Sequence, residues 1–156
     1  MNMFEKIHTP AAPLAAFLTA LRAERAKLLT LGDPLSICLA FARDEEIVVE
    51  SPARAALALL SHDMRDYAIS SAYALLIGPA RRKSLSAYFT PPSLVAATIE
   101  AARSFFERPG ATVLDPACGS GALLIRAGEA AKSDDHRLFG QEVNGSTHAL
   151  ARMNMF

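Results

Sequence analysis

Residues 113–124 read VLDPACGSGALL, and this stretch decides the fold of the second half of the chain. A short apolar run ends in Asp115, and a turn that contains Gly119 and Gly121 leads into a second apolar run. The pattern predicts a buried strand, a tight turn and a helix, with backbone N–H groups open to a ligand because glycine has no Cβ. It is neither the dinucleotide pattern G-x-G-x-x-G nor a phosphate-binding loop, which needs Gly-Lys-Ser/Thr.

A carboxylate follows each of two predicted strands. Asp115 ends the first strand. The second strand is predicted over residues 137–141, and Glu142 follows it, 27 residues after Asp115. In nucleotide-binding α/β sheets an acidic side chain at the second position accepts hydrogen bonds from ribose hydroxyls. A carboxylate before the glycines suits a ligand with a positive group, and S-adenosylmethionine (SAM), with its ammonium and sulfonium, fits. The order helix, strand, glycine turn, helix, strand, helix predicts the opening of a parallel α/β sheet.

The composition describes a folded chain without an extreme charge. Its 156 residues are 51% hydrophobic, and 16 Lys and Arg balance 16 Asp and Glu. This composition excludes a disordered or collagen-like chain. Because the net charge is zero, only a local basic patch, and not the charge of the whole chain, could attract a nucleic acid. Cys38 and Cys118 are 80 residues apart, which fits neither a disulfide framework nor a zinc cluster.

Both cysteines are expected to be reduced thiols, which favours a cytoplasmic protein. Neither a secretion signal nor an apolar stretch of roughly 20 residues is visible, so no membrane contact is expected. The four histidines lack metal-ligand spacing, and no metal site is predicted.

The first half of the chain is predicted to be almost wholly helical. Residues 10–31 carry an apolar stripe at helical spacing. Asp33-Pro34 and Ser51-Pro52 each combine an N-cap residue with a proline at the first helical position. The β-branched triplet at residues 47–49 predicts either a short strand or an extended linker. We expect the apolar stripes to form core rather than a cofactor site.

Three segments together resemble the adenine-N6 DNA methyltransferases, in particular the modification subunits of type I restriction-modification systems. That family has Tyr-Phe-Thr-Pro or Tyr-Tyr-Thr-Pro before a helix, Asp-Pro-Ala-Cys-Gly-Ser-Gly after the first strand and Gly-x-Glu on the second. This chain has YFTP at residues 88–91, DPACGSG at 115–121 and GQE at 140–142, in the same order. The resemblance covers roughly residues 81–156.

The resemblance implies an α/β chain with two parts. A mainly helical N-terminal region, residues 1–80, precedes the start of a Rossmann-like SAM-dependent methyltransferase domain, residues 81–156, whose parallel sheet is incomplete. SAM is the implied cofactor, and the YFTP segment is placed against its methionine end and adenosine. The implied cofactor-binding residues are Tyr88, Phe89, Thr90, Pro91, Asp115, Ala117, Gly119, Ser120, Gly121 and Glu142. Cys118 is interpreted as space-filling rather than nucleophilic, because no base is positioned beside it by the sequence.

The family's catalytic segment, Asn/Asp-Pro-Pro-Tyr/Phe, does not occur in these 156 residues. In the family it accepts hydrogen bonds from the target amine and stacks on a base flipped out of the duplex. We therefore assign no catalytic residue and expect a fragment or a truncated gene product. Such a chain holds SAM for methyl transfer to adenine in DNA but is not active alone, and DNA is the partner of the full-length enzyme.

Several alternatives follow from the incomplete sheet. Without the family's fourth strand, the first strand is expected to have an unpaired edge, covered by the N-terminal helices, by a partner chain or by the rest of a longer protein. One alternative is thus an inactive remnant that acts as an interaction module, through a partner subunit or self-association. A methyltransferase acting on RNA or on protein glutamine is another, against which the YFTP segment argues. The basic cluster at residues 81–83 is either a contact to DNA phosphates or a solvated helix end.

Overall fold

The apolar stripe at the start of the chain forms helix α1. The computed structural model describes residues 12–131 and 134–155, and α1 spans Ala12–Leu31. Its buried residues lie at helical spacing: Leu14, Phe17, Leu21 and Leu28. The helix predicted over 10–31 is confirmed from residue 12, and residues 10 and 11 lie outside the described residues.

The next two α-helices begin, as predicted, where an N-cap residue is followed by a proline. Helix α2 (Pro34–Arg43) starts after Asp33, whose carboxylate accepts two backbone N–H groups of the first turn. Helix α3 (Pro52–Ala58) starts after Ser51, whose hydroxyl accepts one such N–H group and donates to the Glu24 carboxylate at 2.5 Å. These bonds satisfy helix N–H groups that have no partner within the helix.

The β-branched triplet between these helices is neither a strand nor an extended linker, so that prediction is wrong. Glu46–Val48 forms a single turn of 3₁₀ helix, and Val49 has α-helical backbone angles. Only Val48 is buried, whereas the side chains of Ile47 and Val49 are 43% and 45% exposed. β-branched residues prefer strands only weakly. Here the burial of one side chain in the core, which a tight turn permits, outweighs that preference.

Two further helices lie in the described part of the first unit, which ends at Phe89. They are α4 (His62–Ile77) and α5 (Pro79–Ser84). Helix α1 packs against α2, α3 and α4, and the rings of Phe17 and Phe41 meet edge to face at 6.0 Å between centroids. This geometry is the favoured one for aromatic pairs, and both rings are fully buried.

The second unit begins at Thr90 and has the alternating order predicted from the sequence. Its elements are α6 (Pro92–Phe106), β1 (Thr112–Asp115), α7 (Ala122–Ala130), β2 (Arg137–Gly140) and α8 (Gly145–Met155). The strands pair in parallel, with Thr112 opposite Arg137 and Asp115 opposite Gly140. The chain is therefore mostly helical with a small parallel sheet of the α/β kind. None of the described helices is long and apolar enough to cross a membrane.

The prediction of a buried first strand is wrong in this structure. Leu114 in β1 is 65% exposed and Phe139 in β2 is 53% exposed. Among the described residues β1 pairs only with β2, and two strands with helices beside them cover few apolar side chains. One buried cluster of this unit consists of Cys118, Leu124 and Ala151, with Val113 packed against it, and the helices also bury Val95, Ala127 and Leu150.

Candidate functional site

The carboxyl ends of the two strands meet at one edge of the small sheet. The Gln141 N–H donates to the carbonyl of Asp115, and the Cys118 N–H donates to the carbonyl of Gln141, both at 2.9 Å. The turn after β1 is thereby hydrogen-bonded to the end of β2. This arrangement brings Asp115 and Glu142 to the same edge, as expected for parallel strands.

Both carboxylates are half-buried, and each fixes the backbone that follows it. Asp115 Oδ1 accepts the N–H of Ala117 at 3.0 Å, and Glu142 Oε1 accepts the N–H of Asn144 at 2.7 Å. An ionised carboxylate has about four lone-pair sites on two oxygens. Each side chain is therefore held in place by one hydrogen bond and retains acceptor capacity for a ligand.

Cys118 lies in the turn between the two strand ends, where the charges of both carboxylates act on its thiol. Burial raises the pKa of this thiol, and the negative charges of Asp115 and Glu142 raise it further. The thiol is free and stays protonated at neutral pH, which makes it a poor nucleophile. Its surroundings suit the space-filling role expected from the sequence.

The two glycines of the turn serve different purposes. Gly119 has a φ of +56°, and among the described residues no atom lies within 4 Å of the place where a Cβ would stand. Gly121 has a φ of +86°, and a Cβ there would lie 3.0 Å from Cε of Met155. Both need the left-handed region that favours glycine. Gly119 thus leaves open space beside the turn, whereas Gly121 permits close packing against α8.

Two backbone N–H groups of the turn have no hydrogen-bond partner among the described residues. Within the described residues, no acceptor is hydrogen-bonded to the N–H groups of Gly119 or Ser120. Polar backbone groups of this kind need water or a ligand as a partner. The turn therefore offers donors beside the two carboxylate acceptors.

Helix α8 holds the turn from the other side. The side-chain amide of Asn154 donates to the Ser120 carbonyl at 3.0 Å. Asn144 caps the helix, and its Oδ1 accepts N–H groups of the first turn at 3.0 and 3.2 Å. Neither residue was given a role from the sequence. An Asn just before a helix is a recognised N-cap signal, whereas nothing in the sequence marks the contact of Asn154.

Gly140 is a third residue whose role the sequence did not reveal. A Cβ at this position would lie 2.8 Å from Cδ1 of Leu124 and 2.9 Å from Sγ of Cys118. The glycine therefore lets helix α7 and the turn approach β2 closely. It stands in the predicted GQE segment, but its function is packing rather than ligand contact.

The YFTP segment lies where one unit ends and the next begins. The first unit contains Tyr88, whose ring is 60% exposed and lies 4.5 Å from the guanidinium of Arg82, and the half-buried Phe89. The second unit contains the half-buried Thr90 and Pro91, and the Pro91 carbonyl accepts N–H groups of the first turn of α6. The role of these four residues toward a cofactor stays a prediction.

The groups at the sheet edge fit a ligand with mixed polarity. Two carboxylates suit a cation and hydroxyl groups, and free N–H groups suit an anionic oxygen. SAM carries an ammonium and a sulfonium, ribose hydroxyls and a carboxylate, so its chemistry matches this donor and acceptor set. The described residues contain no group of three or more His, Cys, Asp or Glu that could hold a metal ion.

One comparison with known proteins gives a match. A family model described as N-6 DNA Methylase matches residues 65–156, which is more than half of the chain. The matched range starts within α4 and includes the YFTP segment, the glycine turn and both carboxylates. No solved structure matches the chain.

Proposed function

Because the chain belongs to the N-6 DNA methylase family, we propose that its second half binds SAM for transfer of a methyl group to adenine in DNA. Members of this family generally use SAM. The proposed domain comprises residues 81–156, after a helical region formed by residues 1–80. The restriction-modification relationship implied by the YFTP, DPACGSG and GQE segments together is part of the same proposal.

The proposed roles follow from the polarity of each group. Asp115 accepts a positively charged part of the cofactor, and Glu142 accepts ribose hydroxyls. The N–H groups at Gly119 and Ser120 donate to anionic oxygen, while Ala117 and Gly121 shape the turn. Tyr88, Phe89, Thr90 and Pro91 are proposed to contact the same cofactor. When bound, SAM supplies an activated methyl group on its sulfonium.

The proposed contribution of these residues is binding and orientation rather than proton transfer. Methyl transfer to an amine gains most from holding the two reactants in line, which removes translational and rotational freedom before the reaction. The sequence has no Asn/Asp-Pro-Pro-Tyr/Phe segment to hold an extruded adenine. We therefore propose that methyl transfer needs protein groups besides those of this chain.

One observation carries the proposal most directly. Asp115 ends β1 and Glu142 follows β2, and hydrogen bonds of the Gln141 and Cys118 N–H groups join the two strand ends beside a glycine turn that has open space at Gly119. Each carboxylate accepts one backbone N–H group and keeps acceptor capacity that the turn does not use.

Titration calorimetry of the chain with SAM tests the proposal. Wild type should bind, and Asp115→Asn and Glu142→Gln should each weaken binding by at least about 10-fold, because a hydrogen bond to a charged group contributes about 1.5–3 kcal/mol. Asp134→Asn, which changes an exposed carboxylate of the same unit, is the matched control. Absence of binding by the folded wild-type chain, or equal binding by all variants, would contradict the proposal.

A second proposal concerns the exposed sheet. We infer that a second copy of the chain covers this sheet, because β1 pairs on one side only among the described residues and Leu114 is 65% exposed on a parallel strand of a type that is normally covered. Light scattering during size exclusion should give a dimer, and Leu114→Lys should give a monomer. A wild-type monomer at every concentration would contradict self-association and would favour a different partner subunit.

A further inference from the structure

A cleft in the first unit shares only Phe89 with the residues that are proposed to contact SAM. Its volume is about 350 Å³, and its walls come from α1, α4, α5 and the segment that follows α5. The residues that matter here are Leu18, Arg22, Tyr67, Ser71, Arg82 and Phe89. The cleft therefore combines two guanidinium groups, two hydroxyl groups and apolar surface.

The charged residues that line this cleft are all basic, although the chain has no net charge. Residues 67–89, which include the parts of α4 and α5 that line the cleft, contain no Asp or Glu, although they include the basic run at residues 81–83. No carboxylate lines the cleft among the described residues. A second cleft, of about 320 Å³, lies elsewhere in the unit and is lined by Glu24, Glu46 and Glu50 with a single lysine, Lys27. The balanced total charge thus conceals one basic cleft and one acidic cleft.

The two arginines of the cleft differ in how they are held. Arg82 donates from Nε to the Ala87 carbonyl at 3.3 Å, and its guanidinium lies 4.5 Å from the centre of the Tyr88 ring. Arg22 makes no ion pair with any described residue. One guanidinium is therefore oriented in advance and the other is available, and the two together present more N–H donors than the fold uses.

Arg25 lies near the same cleft but has a structural role. Its Nε and Nη2 donate to the carbonyls of Leu75 and Leu76 at 3.2 and 2.7 Å, at the end of α4. These bonds satisfy the last carbonyls of a helix, which otherwise have no partner. Its positive charge still adds to the field at the cleft.

From this arrangement we propose that the cleft binds a phosphate group. Guanidinium groups bind phosphate with paired, charge-assisted hydrogen bonds, and the hydroxyls of Tyr67 and Ser71 can donate to further oxygens of the same anion. A phosphate offers more acceptor oxygens than a carboxylate, so it matches a site with donors on several walls. The phosphate is either part of a DNA backbone, which rests on the proposed function, or a free anion.

Two probes distinguish these sources in the full 156-residue chain. Fluorescence anisotropy with a labelled DNA duplex measures the backbone, and calorimetry with inorganic phosphate measures the free anion. Arg22→Gln and Arg82→Gln should each raise the Kd of the bound probe by about 10-fold, and for DNA should lower the salt slope by about one. Lys27→Gln, on the same helix but in the acidic cleft, should leave both Kd values unchanged.

The outcomes separate this proposal from the previous one. Arginine-dependent binding of DNA alone assigns the cleft to the backbone, and arginine-dependent binding of inorganic phosphate assigns it to a free anion. Arg22→Gln should leave SAM binding and the melting temperature unchanged, which isolates the cleft from the SAM site and from folding. Wild-type affinity of both arginine variants for both probes, equal weakening by Lys27→Gln, or no binding of either probe would overturn the proposal.

Discussion

The two units of the chain are stabilised in different ways. In the first unit, helices bury Phe17, Leu21 and Phe41 completely. In the described part of the second, the buried apolar side chains are aliphatic residues and Cys118, including Val95, Leu124 and Leu150, while Leu114 and Phe139 remain exposed on the strands. The first unit thus buries aromatic rings, whereas the second has a core without them and adds caps, close glycine contacts and single hydrogen bonds around the turn.

Phe17→Ala should have the largest effect on stability. It removes a fully buried ring and its edge-to-face contact with Phe41, and such truncations cost about 3–5 kcal/mol. Urea denaturation followed by circular dichroism measures this change. The control is Phe105→Ala, whose ring is 60% exposed in the second unit and should cost less than about 0.5 kcal/mol. Equal effects of the two variants would contradict the burial of the Phe17 ring in the core of the first unit.

Gly140→Ala should destabilise the second unit by about 1–3 kcal/mol, the usual cost of overpacking. The added Cβ would lie 2.8 Å from Leu124 Cδ1 and 2.9 Å from Cys118 Sγ, so the turn must move. The melting temperature and SAM calorimetry should both report the change. Gly145→Ala is the matched control, because no described atom lies within 4 Å of its added methyl group. A Gly140→Ala chain as stable as Gly145→Ala would show that the packing is looser than described.

Asp33→Ala should cost about 1 kcal/mol by removing the cap of α2. The pKa of Asp33 is held below its ordinary value, first by the hydroxyl of Ser36 and then by the Ser36 backbone N–H. A carboxyl with a lowered pKa contributes stability above its unfolded pKa and loses it as the pH falls. Thermal melts of both chains should therefore differ at pH 7 and converge below about pH 4. A difference that persists unchanged at pH 2.5 would show that the charge of Asp33 has no part in the cap.

Asn154→Ala should have the smallest effect on stability, about 0.5–1.5 kcal/mol, because one hydrogen bond to the Ser120 carbonyl is lost. Its effect on SAM binding should be the clearer readout, since this bond holds the turn. Calorimetry should show weaker binding in a chain that still melts cooperatively. Unchanged affinity would mean that the turn keeps its shape without α8.

Local sequence signals predicted the elements better than their surroundings. Asp33 and Ser51 began helices as expected because a cap and a proline act within one turn. The conformation of residues 47–49 was predicted wrongly, because the sequence does not show that Val48 is buried while its two neighbours are exposed. The burial of β1 was also misjudged, since it depends on neighbouring strands rather than on the strand's own residues.

The candidate site was predictable to a similar extent. Asp115, the glycines and Glu142 could be placed at one sheet edge because parallel strands bring their carboxyl ends together. The role of Asn154 could not, because its partner Ser120 is 34 residues away and no local pattern marks the bond. The role of Gly140 could not be predicted either, since its close contacts arise only when α7 packs on β2.

Amide chemical-shift mapping would show where SAM binds on the chain. Two-dimensional NMR spectra of the ¹⁵N-labelled chain would be recorded during a titration with SAM. The account predicts that the largest shifts occur at residues 115–121 and 140–144, while the core of α1 and α2 is unaffected. Shifts centred in the first unit, or no shifts at saturating SAM, would contradict it.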